Sequence, residues 1–352
     1  MSMDDLMGAP EPTSEHLDDI LGDTPPEPKK KRGRRGIVYF VLILLLCLPL
    51  VFIGFYAVTA TMMLNNIKRD PAAMPTETDR PPVSSYAYQN IVLMGSDSRT
   101  AVAGQGRSDV LMVAHINATR DKVYLISFPR DMFVNVPGHG MDKINAAFAY
   151  GGPALTVRTL EGMLNLRMNH TALIDFDGFI KLTDSIGGVT VYNKYASSGA
   201  CTAGQPDVNY PVGNITITGE PALCYVRQRY TLPRGDLDRA ERQRTVTKAI
   251  ITKLFRPEVI ANPVTFAQVA GQLSQFISVD SGFSVDEMRN LALSMRINGS
   301  NDIVMLQAPI TGFATDPVHG AIDVVNTKQM AELASAMATD SMVAYCDKYG
   351  IG

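Results

Sequence analysis

Charged side chains suited to binding phosphate and a metal ion stand beside short apolar runs at three places in the sequence. Each place combines aspartate with arginine, in the strings GSDSR, GRSDV and SFPRD. Magnesium is commonly held by one or two carboxylates plus substrate phosphate oxygens, and arginine binds phosphate through paired hydrogen bonds. A structural salt bridge explains any one pair, but three pairs favour a phosphate and metal site. The residues are Asp97, Arg99, Arg107, Asp109, Arg130 and Asp131.

A second concentration of charge lies between Arg227 and Arg244, which holds six arginines and no lysine. Lysine would serve solubility equally well, so the choice of arginine favours recognition of an anion. Arg239 and Arg242 share a face near the start of a predicted helix, where the helix dipole disfavours cations unless an anion is bound. A surface network with Asp236 and nearby acidic residues explains the same pattern. The segment alone leaves both interpretations open.

The sequence gives little support for a nucleotide, serine-hydrolase, zinc or nucleic-acid site. Metal and arginine together are the usual electrostatic means of stabilising phosphoryl transfer, but the sequence has no P-loop, kinase glycine loop or GxSxG motif. With five histidines, four cysteines and no CxxC or HExxH motif, it does not resemble a zinc enzyme. A net charge of −3 argues against a nucleic-acid partner. The 352 residues are 46% apolar, which excludes disorder throughout.

Alternating strands and helices are expected to position these residues. The expected strands are Gln89–Met94, Val110–Ala118, Lys122–Phe128, Thr171–Asp175, Val189–Tyr192 and Asp302–Ala308. The expected helices are Asn145–Asn165 (interrupted near Gly151), Phe176–Ile186, Leu237–Phe255, Val264–Phe276, Val285–Met295 and Thr327–Met337. This order predicts an α/β fold, a three-layer α/β/α domain with a central mixed sheet. Arg227 and Arg229 are expected in an extended segment, with both side chains on one side.

An uncharged stretch near the N-terminus predicts one membrane crossing. Its most apolar part, Ile37 to Val58, would span about 33 Å as a helix. The basic string KKKRGRR precedes it, so the positive-inside rule puts the N-terminus in the cytoplasm and the C-terminal part outside. The prediction is a disordered cytoplasmic tail (1–35), a single transmembrane helix (36–60), a proline-rich linker (61–85) and an extracytoplasmic domain (86–352).

Three cysteines fall in the part predicted to lie outside the membrane. Cys201 and Cys224 flank a stretch rich in small and polar residues, and a disulfide between them would stabilise the fold by roughly 3 kcal/mol in the loop-entropy model. Cys346 lies near the C-terminus and is expected to be free. The sequence leaves other pairings open.

The charged strings resemble those of the LytR-CpsA-Psr family of bacterial cell-wall enzymes. The resemblance covers roughly residues 89–254 and rests on GSDSR, GRSDVLM, SFPRDMFV, KINAAFAYGG, DFDGFIKLTDSIGGVTV and YVRQR…DLDRAERQ, in that order. The single predicted anchor with an external domain is similar to the family as well. The cysteine pair resembles actinobacterial members.

The resemblance implies a phosphotransferase that moves a glycopolymer of teichoic acid, arabinogalactan or capsule type from a polyprenyl-pyrophosphate carrier to peptidoglycan. It implies Mg²⁺, or Mn²⁺ in its place, on Asp97 and Asp109, and a carrier lipid in an apolar cavity between sheet and helices. By the same resemblance, the pyrophosphate clamp is Arg99, Arg107, Arg130, Arg227, Arg229 and Arg242. Asp238, Arg239 and Gln243 stand beside it.

The expected step is attack of a peptidoglycan hydroxyl on the glycan-side phosphorus, with release of polyprenyl phosphate. Asp131 or Asp238 is expected to take the hydroxyl proton, and the sequence does not choose between them. The alternatives are a hydrolase that uses water at the same site, and a non-catalytic membrane-anchored protein that binds wall polymer. A DNA-binding regulator is disfavoured, because the charged strings lie across the predicted membrane from DNA. The expected partners are the lipid-linked donor, peptidoglycan and membrane lipid, with no nucleic acid.

Overall fold

The computed structural model describes residues 51, 53–78, 80–96, 108–199, 207–229, 231–254, 256, 259 and 261–351. The chain divides into two compact units, Met1–Gly54 and Phe55–Gly352. Only residues 51, 53 and 54 of the first unit are described, and they are helical. Within these ranges no helix is both long and apolar enough to cross a bilayer. Most of the predicted membrane helix lies outside them, so it stays a prediction.

The second unit contains a seven-stranded sheet in the order β1-β12-β7-β2-β3-β4-β13 and four two-stranded sheets. The strands are β1 (Lys68–Asp70), β2 (Gln89–Ser96), β3 (Ser108–Ile116), β4 (Val123–Ser127), β5 (Phe133–Val136), β6 (Gly140–Lys143), β7 (His170–Asp175), β8 (Val189–Asn193), β9 (Ser197–Gly199), β10 (Val208–Tyr210), β11 (Gly213–Ile217), β12 (Ile277–Asp280), β13 (Ile303–Gln307), β14 (Ile310–Asp316) and β15 (Gly320–Val325). The expected strands are all present, shifted by a few residues at most.

Helices account for much of the remaining described chain. They are α1 (residues 55–66), α2 (Ile144–Leu164), α3 (Phe176–Ser185), α4 (Gly219–Arg227), α5 (Asp236–Leu254), α6 (Pro263–Phe276), α7 (Val285–Ser294), α8 (Thr327–Ala338) and α9 (Met342–Tyr349), with a 3₁₀ turn at Ser300–Asp302. The interruption expected in α2 is confirmed, because Gly151 and Gly152 have non-helical backbone angles and Gly152 has φ +63°. Glycine adopts such an angle without the Cβ clash of other residues.

The large sheet is covered by helices on both faces. Successive strand residues point to opposite faces, so in β4 Ile126 packs in one core with α2, α8 and α9, while Leu125 packs in another core with α7. Every residue of β4 is buried, as expected for a strand between two layers. The prediction of a mixed α/β fold with a central mixed sheet is confirmed.

Strand direction gathers several chain ends at one edge of this sheet. β2 runs parallel to β7, β13 runs parallel to β4, and β3 runs antiparallel to both β2 and β4. The carboxyl ends of β2, β4, β7 and β13 therefore meet where β3 begins. Ligands of open α/β sheets bind beyond the carboxyl ends of the strands.

A third apolar core lies beside this edge and is formed by α3, α4, α5 and the β8–β11 pair. One prediction about α4, a helix of this core, is wrong. Arg227 and Arg229 were expected in an extended segment, but Arg227 is the last residue of α4 and Arg229 follows the helix. Pro221 lies in the first turn, where proline favours a helix, and the helix buries Ala222, Tyr225 and Val226.

The interval expected as a linker, residues 61–85, also contributes to the folded unit. β1 adds a strand parallel to β12 at the sheet edge. Ile67 and Ala73 are buried. Arg80 pairs with buried Glu161 of α2, at 2.7 Å between Nη2 and Oε1. Proline content indicates an extended chain but does not tell whether that chain packs against a domain.

Candidate functional site

Three arginines from different parts of the chain converge on the carboxylate of Asp236, the first residue of α5. Nε of Arg130, which follows β4, lies 2.8 Å from Oδ2, and Nη2 of Arg239 lies 2.7 Å from the same oxygen. Nη1 of Arg229, which follows α4, lies 3.6 Å from Oδ1. We call these four residues the Asp236 cluster. Three guanidinium groups against one carboxylate, at the positive end of a helix, form a setting that favours a further anion.

Asp131 and Lys143 extend the cluster. Nζ of Lys143, the residue before α2, lies 3.1 Å from Oδ1 of Asp131, and Nε of Arg130 lies 3.4 Å from Oδ2. Burial acts to raise the pKa of Asp131, but Arg130 and Lys143 outweigh it and lower the pKa below its usual value. Asp131 is therefore an ion-paired carboxylate at neutral pH.

The other predicted site residues of α5 lie on two different faces of the helix. Asp236, Arg239 and Gln243 stand three or four residues apart and share one face, whereas Asp238 and Arg242 share another. Asp238 accepts hydrogen bonds from the backbone N–H of Arg234 at 2.8 Å and from its Nε at 2.7 Å.

Arg242, expected in the clamp beside Arg239, donates to other partners. Its Nη2 lies 2.9 Å from Oδ1 of Asn193 and 2.8 Å from Oγ of Ser197. Its guanidinium carbon stands 4.2 Å from the ring centre of Tyr225. Burial lowers the pKa of Arg242, although a guanidinium remains charged at neutral pH. These contacts tie α5 to the β8–β9 region, so the structure does not bring Arg242 to the Asp236 cluster.

An apolar cavity of about 180 Å³ lies between the sheet and the helices of the third core. Leu93 of β2, Phe179 of α3, Leu223 of α4 and Ile277 of β12 are among the residues that line it. This position matches the one expected for a carrier lipid.

Two residues connect the cavity to the charged side chains. Gln243, on the same face of α5 as Asp236, lines the cavity, and its Nε2 donates to the carbonyl of Val226 at 3.2 Å. Phe176 also lines the cavity, and the guanidinium carbon of Arg227 stands 4.6 Å from its ring centre. An apolar space therefore adjoins a cationic one.

Several predicted residues cannot be placed. Asp97, Arg99, Arg107 and Cys201 lie outside the described residues, and of Asp109 only the backbone, at the start of β3, is described. Cys346 is free and buried, as expected. The Cys201–Cys224 pairing stays a prediction.

Three residues of this region were not among the predicted site residues. Lys143 stands in the quoted KINAAFAYGG string, and Asp236 was considered only as a neutralising charge. Asp323 of β15 lies far beyond the motifs in sequence, and only topology places it here: its backbone N–H donates to the carbonyl of Asp131 at 2.9 Å. Burial raises the pKa of Asp323 to about 6, and the charges of Asp131 and Asp236 act in the same direction.

Comparison with known proteins identifies the family. The model of the LytR_cpsA_psr family matches residues 52–339. The chain belongs to this family. The resemblance seen in the sequence motifs is thereby confirmed, and the match extends beyond residues 89–254 on both sides.

Two relatives and one solved structure are similar over most of the chain. The chain is 35% identical to the "Probable cell wall biosynthesis protein LcpB" of Corynebacterium glutamicum, over 81% of this chain and 67% of the relative. It is 31% identical to the "Polyisoprenyl-teichoic acid--peptidoglycan teichoic acid transferase TagU" of Enterococcus faecalis, over 80% and 89%. The crystal structure of B. subtilis TagV has the same fold, with a TM-score of 0.62, 24% identity and coverage of 73% and 98%. The LytR_cpsA_psr chain described here is accordingly a transferase, as predicted.

Proposed function

We propose that this protein transfers a glycopolymer from a polyprenyl-pyrophosphate carrier to peptidoglycan and releases polyprenyl phosphate. The observation that carries the proposal is the cationic Asp236 cluster beside an apolar cavity. A glycopolymer linked to a polyprenyl chain through pyrophosphate has two matching parts, a dianionic pyrophosphate and an apolar tail. The relative TagU, which is similar over most of both chains, is named as a polyisoprenyl-teichoic acid–peptidoglycan teichoic acid transferase.

Arginines are the proposed clamp for the pyrophosphate. Three of them, Arg130, Arg229 and Arg239, already meet at the carboxylate of Asp236. The guanidinium group of Arg227 contacts the ring of Phe176, which lines the cavity. Guanidinium groups at fixed angles stabilise charge that develops on phosphate oxygens during transfer. Arg99 and Arg107 are proposed members from the sequence, and Arg242 is proposed to act by holding α5 in place.

Asp97 and Asp109 are the proposed magnesium ligands. β2 ends at Ser96 and β3 begins at Ser108, and these two residues are register partners. Asp97 follows the first of these in sequence and Asp109 follows the second, so we propose that the two carboxylates bind one magnesium ion together with substrate phosphate. The ion would supply Lewis-acid stabilisation of the phosphate charge.

In the proposed step, the oxygen of a peptidoglycan hydroxyl forms a bond to the glycan-side phosphorus. The bridging P–O bond breaks, and polyprenyl phosphate leaves with the electron pair. The hydroxyl proton passes to a base. The anchor predicted near the N-terminus would hold this domain outside the membrane, where both carrier head and peptidoglycan are found.

The test is transfer by the full-length protein in vesicles that contain a polyprenyl-pyrophosphate-linked glycopolymer, with peptidoglycan added and magnesium varied. We expect glycopolymer covalently joined to peptidoglycan, with one polyprenyl phosphate released per linkage. Free glycan formed equally with and without peptidoglycan would instead identify a hydrolase, and binding without turnover would identify a wall-polymer binding protein.

The matched variants are Arg130→Lys in the cluster and Arg289→Lys on the surface. Among the described residues, Arg289 pairs with the exposed Asp286, and the two side chains are 48% and 75% exposed. We expect the first variant to lose transfer and the second to keep it. Equal activity of both variants would contradict the assignment of the site.

A further inference from the structure

Asp323 is an acidic residue that forms none of the ion pairs found among the described residues. The residue is 5% exposed, and its Oδ2 atom has no hydrogen-bond partner among the described residues. An isolated carboxylate in such a place is costly, because burial removes its hydration without replacing it. A role in holding the fold together does not explain this side chain.

Charged groups from three parts of the fold are near enough to shift the pKa of Asp323. Arg130 and Asp131 come from the segment between β4 and β5, Lys143 from the end of β6, and Asp236 from the start of α5. The backbone of β15 is fixed against this segment by the hydrogen bond from Asp323 N–H to the Asp131 carbonyl, at 2.9 Å. The carboxyl of Asp323 therefore belongs to the region of the Asp236 cluster, although it takes part in none of its ion pairs.

The two aspartates considered from sequence are poorly suited to accept a proton. Asp131 is held ionised by Arg130 and Lys143, which lower its pKa. Asp238, on another face of α5, accepts two hydrogen bonds from Arg234, which precedes the helix. A general base works best when its pKa lies near the working pH and its oxygen is not already occupied.

We infer that Asp323 is the general base that takes the proton from the acceptor hydroxyl. This inference rests on the proposed transfer reaction. As the hydroxyl oxygen bonds to phosphorus and the bridging P–O bond breaks, the hydroxyl proton moves to the carboxylate of Asp323, and polyprenyl phosphate leaves. The proton then passes to water. The pKa of Asp323, raised to about 6 by burial, leaves it ionised at neutral pH but more basic than an ordinary aspartate.

The test compares Asp323→Asn with wild type in full-length protein, using the vesicle transfer assay from pH 5 to 8. In wild type, transfer should fall as the pH drops through about 6, because protonation of Asp323 removes the base. Asp323→Asn should lose about 100-fold or more in rate, should lose that acid limb, and should bind the lipid-linked donor as wild type does. Its melting temperature should be unchanged or higher.

The matched control is Asp280→Asn. Asp280 is also buried, at 2% exposed, but its carboxylate lies 3.3 Å from Nδ1 of His170 and accepts from Thr171 N–H at 2.9 Å. The Asp280→Asn variant should have a lower melting temperature than wild type and the same pH profile of transfer.

Two results would overturn the assignment of Asp323. One is wild-type transfer with the same acid limb in Asp323→Asn. The other is an Asp323→Asn defect that excess magnesium restores, because that would make Asp323 a metal ligand. Absence of transfer by wild type itself would instead contradict the proposed function.

Discussion

Two arginine–carboxylate groups in the same folded unit are built differently. Arg80 is 5% exposed and Glu161 2%, and Arg80 donates from Nε and Nη2 to this carboxylate. Nη2 also reaches the Met168 carbonyl at 2.6 Å, and Nη1 reaches Glu77 at 3.1 Å. Glu161 in turn accepts from the Met168 N–H at 2.9 Å. One cation thus meets a buried anion with nearly every donor satisfied.

The Asp236 cluster is open where the Arg80 pair is closed. Its Arg130, Arg229 and Asp236 side chains are 21%, 32% and 25% exposed, whereas Arg239 is 8% exposed. Three guanidinium groups reach the Asp236 carboxylate, and Arg130 also reaches Asp131. We infer from this difference that the enclosed Arg80–Glu161 pair serves the fold, whereas the more exposed Asp236 cluster serves the anionic substrate of the proposed reaction.

Removing either proposed magnesium ligand should have the largest effect. Asp97→Asn or Asp109→Asn should abolish magnesium-dependent transfer, because an amide is a neutral and weaker ligand for a hard cation. The folded state should survive, which circular dichroism and the melting temperature will show. Full activity of both variants would contradict the metal assignment.

Breaking the enclosed pair should cost stability instead of activity. Arg80→Met leaves Glu161 buried without its cation, which should lower the free energy of unfolding by about 3–5 kcal/mol. Urea denaturation measures this loss. Transfer per folded molecule should stay near wild type, and a large fall in that quantity would place Arg80 in the site.

Charge-conserving changes at Arg229 of the Asp236 cluster, or at Arg227 beside the cavity, should cost activity instead of stability. Arg227→Lys or Arg229→Lys removes a planar donor, which should cost about 1.5–3 kcal/mol in the transition state, or roughly ten- to a hundred-fold in rate. The melting temperature should change little. Variants that melt early but transfer normally would show that these arginines hold the fold.

Asp323 should also make stability depend on pH. Its pKa rises from 3.8 in the unfolded chain to about 6 in the folded one, so between these values the folded state binds the extra proton. Its contribution to stability is complete below pH 3.8 and is lost as the pH rises through about 6, at roughly 1.4 kcal/mol per pH unit. Urea titrations of wild type and Asp323→Asn should differ by this slope, and identical slopes would contradict the shift.

The sequence predicted five of the seven described strands of the large sheet and most of the described helices, because apolar runs and their bounding turns are local signals. It missed β1 and β12, which pair at one side of this sheet. It was wrong about Arg227, whose helix α4 forms through packing against α3 and α5. It also missed Asp323, since only the pairing of β15 with the segment after β4 brings residue 323 to residue 131. Asp236 was visible in sequence, but the direction of three arginines toward it depends on the fold.

A crystal structure of the protein with a polyprenyl pyrophosphate bound would test the proposed site most directly. We expect the pyrophosphate within hydrogen-bond distance of Arg130, Arg227 or Arg229, and the prenyl chain in the cavity beside Leu93 and Ile277. A pyrophosphate bound away from the Asp236 cluster, with no chain in the cavity, would contradict the proposed site.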